Sequence, residues 1–265
     1  MYKNNIKSIA IGSFDGIHLG HKALIEQVEA VVIIERNGGY LTPGYKRSLY
    51  AKQFCFFYHF EYIRIFRAKE FVEMLKTDFP KLEKIVVGYD FGFGYKKEGN
   101  VQMLKELFDG KVQVVDEVKL QDISVHSRMI KTEIANGNMP LVEQLLNRPY
   151  RIDGQVVSGQ GLGKKKLVAT LNLNVYDYDL PKDGVYATRT KVADEWLKSV
   201  SFIGFRVTTD GSFAIETHVI DRDIGVLKGQ VWVEFVAFIR ENRKFDGLEA
   251  LKTQINLDII QAKSI

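Results

Sequence analysis

The sequence has a single cysteine and two tryptophans in 265 residues, and nowhere the run of roughly 18 apolar residues that a membrane helix needs. One cysteine excludes an internal disulfide and makes a reducing compartment, the cytoplasm, the expected home; within Phe54-Cys55-Phe56-Phe57 it reads as a small core residue. No basic-then-apolar leader is expected either, because Met1-Tyr2-Lys3-Asn4-Asn5 leads straight into an apolar run. Internal repeats, low-complexity segments and a long basic tail are also missing. With no such tail, the net charge of +4 and pI near 8.9 suit phosphorylated small molecules at least as well as nucleic acid. Small-molecule substrates are therefore expected, with neither nucleic acid nor membrane as partner. What remains is a chain of 46% hydrophobic residues, long enough for one large domain or two modest ones.

The stretch Gly12-Ser13-Phe14-Asp15-Gly16-Ile17-His18-Leu19-Gly20-His21 joins two kinds of pattern. Ile6, Ile9, Ala10 and Ile11 before it read as a buried strand, and Ala23, Leu24, Ile25, Val28 and Val31 after it recur at helical spacing. Gly12, Gly16 and Gly20 let the backbone bend and approach a ligand closely, while the unpaired N–H groups of a first helical turn face an anion. His18 and His21, three apart, point into one space and suit a place where negative charge builds up during a reaction. Zinc is set aside, since no cysteine or third histidine lies nearby and a closed zinc site wants four ligands.

Through about residue 147, strand-like runs (6–11, 31–34, 62–66, 85–88 and 112–115) alternate with helical patterns near 21–30, 47–59, 69–76 and 99–108. That alternation predicts a doubly wound parallel sheet, whose ligands sit off the carboxyl ends of the strands. A second glycine-rich strand end, Val87-Gly88-Tyr89-Asp90-Phe91-Gly92-Phe93-Gly94, adds aromatics and a carboxylate; Phe91 and Phe93 are read either as ring-stacking or as core residues. From Arg151 onward glycines punctuate short runs, and Gln230-Val231-Trp232-Val233-Glu234-Phe235-Val236 alternates cleanly. An antiparallel barrel or sandwich closed by a helix near 248–262 is predicted there, with Asn147-Arg148-Pro149-Tyr150 as a short boundary between domains 1–147 and 148–265. Glu216, within Ala214-Ile215-Glu216-Thr217, reads by alternation alone as a solvated outward residue, and Lys164-Lys165-Lys166 as a charged surface run.

Laid out in this way, the chain resembles the prokaryotic bifunctional riboflavin kinase and FMN adenylyltransferase family over nearly its whole length. The N-terminal half is similar to a Rossmann-like nucleotidyltransferase in 12–21, Leu41-Thr42-Pro43, the Lys46-Arg47 pair, 87–94 and Gly99-Asn100. The C-terminal half resembles the flavokinase barrel in Arg148-Pro149-Tyr150-Arg151, Gly161-Leu162-Gly163-Lys164, Thr170-Leu171-Asn172-Leu173, Gly184-Val185-Tyr186-Ala187, Ile215-Glu216-Thr217-His218 and 240–245. Three departures stand out: 35–40 lacks the family's longer Pro-His-Pro loop, 126–131 carries Arg128 where the family has a threonine, and Leu167-Val168-Ala169 replaces its Gly-Phe-Pro.

The resemblance implies two ATP-dependent steps, riboflavin to FMN in the C-terminal half and FMN to FAD in the N-terminal half, with Mg²⁺. It assigns His18 and His21 to the phosphates of ATP, with Gly12, Ser13, Phe14 and Gly16 in the cradle and Asp15 holding the turn. Ser127, Arg128 and Lys131 are assigned to the leaving pyrophosphate, and Asp90, Phe91, Phe93 and Gly94 to the ring contact. In the barrel it assigns Glu216 as the base, Thr170 and Asn172 to Mg²⁺, Gly161, Gly163 and Lys164 to the ADP phosphates, and Arg240 to the flavin or its phosphate. Two other readings stay open at this point: an adenylyltransferase whose barrel only binds flavin, and a flavin-binding regulator without turnover.

Overall fold

Isoleucine, valine and alanine fill the centres of Ser8–Gly12 (β1), Ala30–Glu35 (β2) and Lys84–Gly88 (β4) with no polar position between them, so each strand needs an apolar layer on both faces. A computed structural model describes residues 3–36, 40–158 and 168–265 and divides into two compact units, Met1–Met129 and Ile130–Ile265. In the first unit those three strands join Phe54–His59 (β3) and Lys111–Val115 (β5) in a wholly parallel sheet of order β3-β2-β1-β4-β5. Ile9, Ile11, Ala30, Val32, Ile85 and Val87 face one core with Ala68–Asp78 (α3) and Val101–Leu107 (α4). The intervening Ala10, Val31, Ile33 and Val86 face the other, with Ile25 of the helix Leu19–Ile25 (α1). The sheet is doubly wound, as expected.

Two elements of that half differ from the sequence prediction. Residues 47–59 form no helix: a 3₁₀ turn covers Gly44–Leu49, and β3 begins at Phe54. The expected strand at 62–66 is instead preceded and partly replaced by the short helix Phe60–Ile63 (α2). As an edge strand, β3 leaves Cys55 to Tyr58 half-buried on both faces, so neither a period of two nor one of 3.6 stands out. The first helix is also shorter than read, ending at Ile25. Past β4, Gly94 is required by its surroundings: its φ is +72°, and a Cβ there would lie 2.8 Å from the backbone nitrogen of Ala68.

A small hairpin, Lys119–Leu120 (β6) with Ile123–Ser124 (β7), precedes the helices Ser127–Asn136 (α5) and Met139–Leu146 (α6), and the border between units falls within the first turn of α5. The second unit is a closed antiparallel barrel of order β10-β11-β12-β9-β8-β13. Its strands are Tyr150–Val157 (β8), Leu171–Asn174 (β9), Gly184–Val192 (β10), Glu195–Phe205 (β11), Phe213–Val219 (β12) and Gln230–Arg240 (β13). The terminal helix Leu248–Ser264 (α7) packs on its outside, where Ala262 meets Val185, Ala187 and Val200. Closure removes the exposed strand edges that a sandwich would keep.

Five hydroxyls close a ring inside the barrel. Thr188 Oγ1 lies 2.8 Å from both Ser199 Oγ and Ser201 Oγ, Thr190 donates to Ser199 at 2.8 Å and lies 2.9 Å from Thr217 Oγ1, and Ser201 donates to Thr217 at 2.9 Å. The bond from Thr190 on β10 to Thr217 on β12 bypasses β11, which puts it on the concave side of the sheet. None of the five is more than 3% exposed. Since a hydroxyl donates once and accepts at least once, the ring leaves no buried donor unpaired. Replacing Thr190 with Val breaks two of these bonds and should cost the barrel about 1–3 kcal/mol. Urea unfolding followed by tryptophan emission isolates this unit, because Trp196 and Trp232, the only two tryptophans, both lie in it.

Candidate functional sites

In the first unit the chain adds strands outward from β1 to β3 and then restarts with β4 on the other side of β1. Strand order therefore reverses between β1 and β4, and the crevice beyond their carboxyl ends is where doubly wound sheets bind ligands. Gly12 ends β1 and Gly88 ends β4, so the two glycine-rich segments flank that point.

The turn after β1 is pulled into shape by its own buried side chains. Phe14 and Ile17 have φ of 49° and 43°, a region side chains other than glycine seldom adopt, and both are essentially buried at 1% and 0% exposure. The ring of Phe14 belongs to the core. Asp15 is buried too; its Oδ1 accepts from the amide of Thr42 at 3.0 Å and its carbonyl accepts from the Ser127 hydroxyl at 2.8 Å. Arg47, with no exposed surface, donates through Nε to the carbonyl of Thr42 at 3.0 Å and lies over the Tyr40 ring at 4.7 Å. Among the described residues its Nη1 and Nη2 have no close hydrogen-bond partner, and the Glu35 carboxylate is 3.8 Å from Nη1. Burial beside this group pushes the Tyr40 phenol up.

His18 caps α1, its Nδ1 accepting the amide of His21 at 3.3 Å, which leaves the proton of the neutral ring on Nε2. The two imidazoles stack at 3.6 Å with 20° between planes, and Phe14 meets the edge of His21 at 5.2 Å. Gly20 leaves room for the His18 ring: a Cβ there would lie 3.1 Å from it. The structure thus brings together Gly12, Phe14, Gly16, His18, His21 and Ser127. Ser13 is in the same turn, and Arg128 follows Ser127 on an exposed position of α5. Lys131 falls in the second unit, where its ammonium pairs with Asp179 at 2.8 Å.

Beyond β4, Asp90 is exposed and Phe91 is half-buried, stacked on Phe93 at 5.5 Å. Phe93 itself is a core residue, 5% exposed, in contact with Phe71 and locked by paired backbone bonds to Gly99.

In the barrel, β9 and β12 pair only through Asn172 with Glu216 and Leu171 with Thr217. Directly opposed residues of an antiparallel pair share a face, so the first register pair sets the Asn172 amide beside the Glu216 carboxylate, and Thr170, two residues earlier, belongs to the same side. These groups line a cavity of about 860 Å³ on the outer face of the barrel, walled by α7 residues Leu251, Ile255 and Asp258. His218, two after Glu216, bonds through Nδ1 to the Ala169 carbonyl at 2.8 Å and fixes the backbone just ahead of Thr170. Arg206, which sequence reasoning missed, ties the group together: Nε and Nη2 donate to Glu216 Oε1 at 2.9 and 2.6 Å, and Nη2 also to Asn172 Oδ1 at 2.6 Å. The signal for it was the turn Thr208-Thr209-Asp210-Gly211, which joins β11 to β12. Arg240 lines the cavity, but its fork is held by Asp258 at 2.7–3.1 Å and its Nη1 by the carbonyl of Glu241 at 3.0 Å, so it anchors α7. Gly161, Gly163, Lys164 and Leu167 lie outside the described residues, as do 37–39.

Residues 146–265 match the riboflavin kinase family model, and 2–36 with 50–129 match the FAD synthetase model. The chain is thus a two-domain flavin-nucleotide transferase, one domain a phosphoryl transferase and the other a nucleotidyl transferase. It belongs to the bifunctional riboflavin kinase/FMN adenylyltransferase family, and both activities follow from its two domains. Relatives bearing that name include those of Pseudomonas fluorescens, 29% identical over 96% of this chain and 91% of the relative, and Listeria monocytogenes, 29% identical over 95% and 90%. That of Escherichia coli K12 is 26% identical over 96% and 91%. A crystal structure described as a macrolide-efflux protein from Streptococcus pneumoniae matches with a TM-score of 0.87 and 24% identity, covering 99% of this chain and 95% of that one. At that identity the likeness speaks for the fold alone. Among the described residues no helix is long and apolar enough to cross a membrane.

Truncating Asp258 to Ala leaves the half-buried Arg240 guanidinium without its carboxylate and should cost roughly 3–5 kcal/mol, the range for breaking one side of a buried ion pair. Hydrogen exchange should show α7 losing protection first.

Proposed function

We propose that the crevice at β1 and β4 holds ATP and FMN for adenylyl transfer, and that the outer barrel cavity holds riboflavin and a second ATP for phosphorylation, with the division of labour at residues 1–147 and 148–265. The observation that carries the first assignment is that both glycine-rich strand ends meet where strand order reverses. The attacking FMN phosphate is already anionic and needs no base, so the work is alignment and charge stabilisation. His18 Nε2–H and the His21 ring donate to the phosphates as charge develops at the α-phosphorus. Ser127 and Arg128 receive the leaving pyrophosphate, and Asp90 and Phe91 contact a ring.

Phosphorylation differs because the attacking 5′-hydroxyl is neutral. Glu216 accepts its proton as the oxygen bonds to the γ-phosphorus and the bond to ADP breaks. Thr170 and Asn172 fit Mg²⁺: they are hard oxygen donors, and the Asn172 and Glu216 oxygens already share one cation, the Arg206 guanidinium. No group of three His, Cys, Asp or Glu that could hold a metal occurs among the described residues. When bound, Mg²⁺ neutralises charge on the transferred phosphoryl group. The lone Cys55 thiol supports a reducing, cytoplasmic setting.

Incubation of the whole chain with riboflavin, ATP and Mg²⁺, followed by chromatography of the flavins, tests the division. Glu216→Ala should abolish FMN formation yet convert supplied FMN to FAD. His21→Ala should do the reverse, slowing adenylylation by about 10²–10³-fold, the usual loss for one transition-state donor, so that FMN accumulates. Both activities falling together in either folded variant would sink the assignment.

A further inference from the structure

Arg206 has no part in the chemistry above, yet it stands between the two groups that chemistry needs. All three of its guanidinium nitrogens are engaged: Nε and Nη2 on Glu216 Oε1, Nη2 also on Asn172 Oδ1, and Nη1 on Ser212 Oγ at 2.7 Å. Its side chain is only 17% exposed. The bonds to Glu216 go to a single oxygen, so Oε2 takes none of them. Asn172 is in the opposite position, because an amide has one oxygen, and the nitrogen beside it offers a cation no lone pair. The atom that would ligate a metal is therefore the atom Arg206 occupies at 2.6 Å. Two cations on one amide oxygen would sit within a few ångströms of each other, where their repulsion is strong in a half-buried site.

We propose that Arg206 is a latch: without nucleotide it closes Asn172 onto Glu216, and the Mg²⁺–nucleotide complex must displace it from Asn172 to bind. The inference rests on the assignment of Asn172 to the metal. Release is local. The arginine lies at the start of the β11–β12 turn, whose backbone is pinned by its own amide on the Ser212 carbonyl at 2.9 Å, so the guanidinium swings without moving a strand. Asp210 Oδ2, already 3.9 Å from Nη1, offers the freed fork another acceptor. Nucleotide without metal leaves the latch closed, and Glu216 loses its ion partner only once the metal-bearing substrate is seated.

Mn²⁺ with ADP, titrated into the full chain and followed by electron paramagnetic resonance, provides the test. The component of binding that Asn172→Ala abolishes is the one at issue, which separates it from nucleotide bound by the first unit. Arg206→Ala should tighten that component by about tenfold or more, the factor one charge-assisted hydrogen bond is worth. Arg206→Lys keeps the charge but not the fork and should tighten it less. In the wild-type chain, the Arg206 Nε–H resonance, assigned by its loss in Arg206→Lys, should shift on addition of Mg²⁺–ADP and stay in place with ADP and chelator. That measurement decides the matter even if Arg206→Ala does not fold. Unchanged or weaker Mn²⁺ binding in Arg206→Ala, or a resonance unmoved by Mg²⁺–ADP, overturns the latch and leaves the metal assignment standing. Full Mn²⁺ binding by Asn172→Ala overturns both.

Discussion

A strand offers only every second side chain to a given face, and both units are organised by that restriction. In the parallel sheet it splits each run of aliphatic residues between two cores, so β1, β2 and β4 have no face left for polar groups. Polar groups are consequently confined to the strand ends, and the turn that carries His18 and His21 is a strand end. In the barrel the same restriction sets Thr217 inward to the hydroxyl ring while its neighbours Glu216 and His218 turn outward to the cavity. One strand thereby fills the interior with one residue and lines the cavity with the next.

Much of this was legible in the sequence, and the parts that were not have identifiable physical causes. Runs such as Ile9-Ala10-Ile11 and Val31-Val32-Ile33-Ile34 can satisfy only a strand covered on both sides, so the doubly wound sheet could be read directly. β3 could not, because an aromatic edge strand half-buried on both faces has no dominant period. β11 shows no clean alternation for a different reason: its inward residues include Ser199 and Ser201, whose hydroxyls are satisfied by partners on β10 and β12. Polar residues at core positions erase the alternation that reveals a strand. The motif residues themselves could be read one by one, but the ties between them, Asp15 to Thr42 to Arg47 or Glu216 to Arg206 to Asn172, join segments far apart in the chain.

Three arginines show how the fold uses a planar cation. Arg47 is wholly buried and holds the Thr42 carbonyl, Arg206 bridges an amide and a carboxylate, and Arg240 grips Asp258 to hold the terminal helix. Lysine would substitute poorly at the last two, since a point charge cannot reproduce a fork that addresses several oxygens at fixed angles. The cavity depends on this difference: its α7 wall is fastened by Arg240, while the groups lining it are arranged by Arg206.

The closed circuit of Thr188, Ser199, Thr190, Thr217 and Ser201 has a consequence for how this unit meets extremes of acidity. Aliphatic alcohols neither gain nor lose a proton anywhere in the working range of a protein, so the circuit carries no charge at any ambient pH. Neither acid nor alkali can therefore unsettle the barrel by charging this circuit.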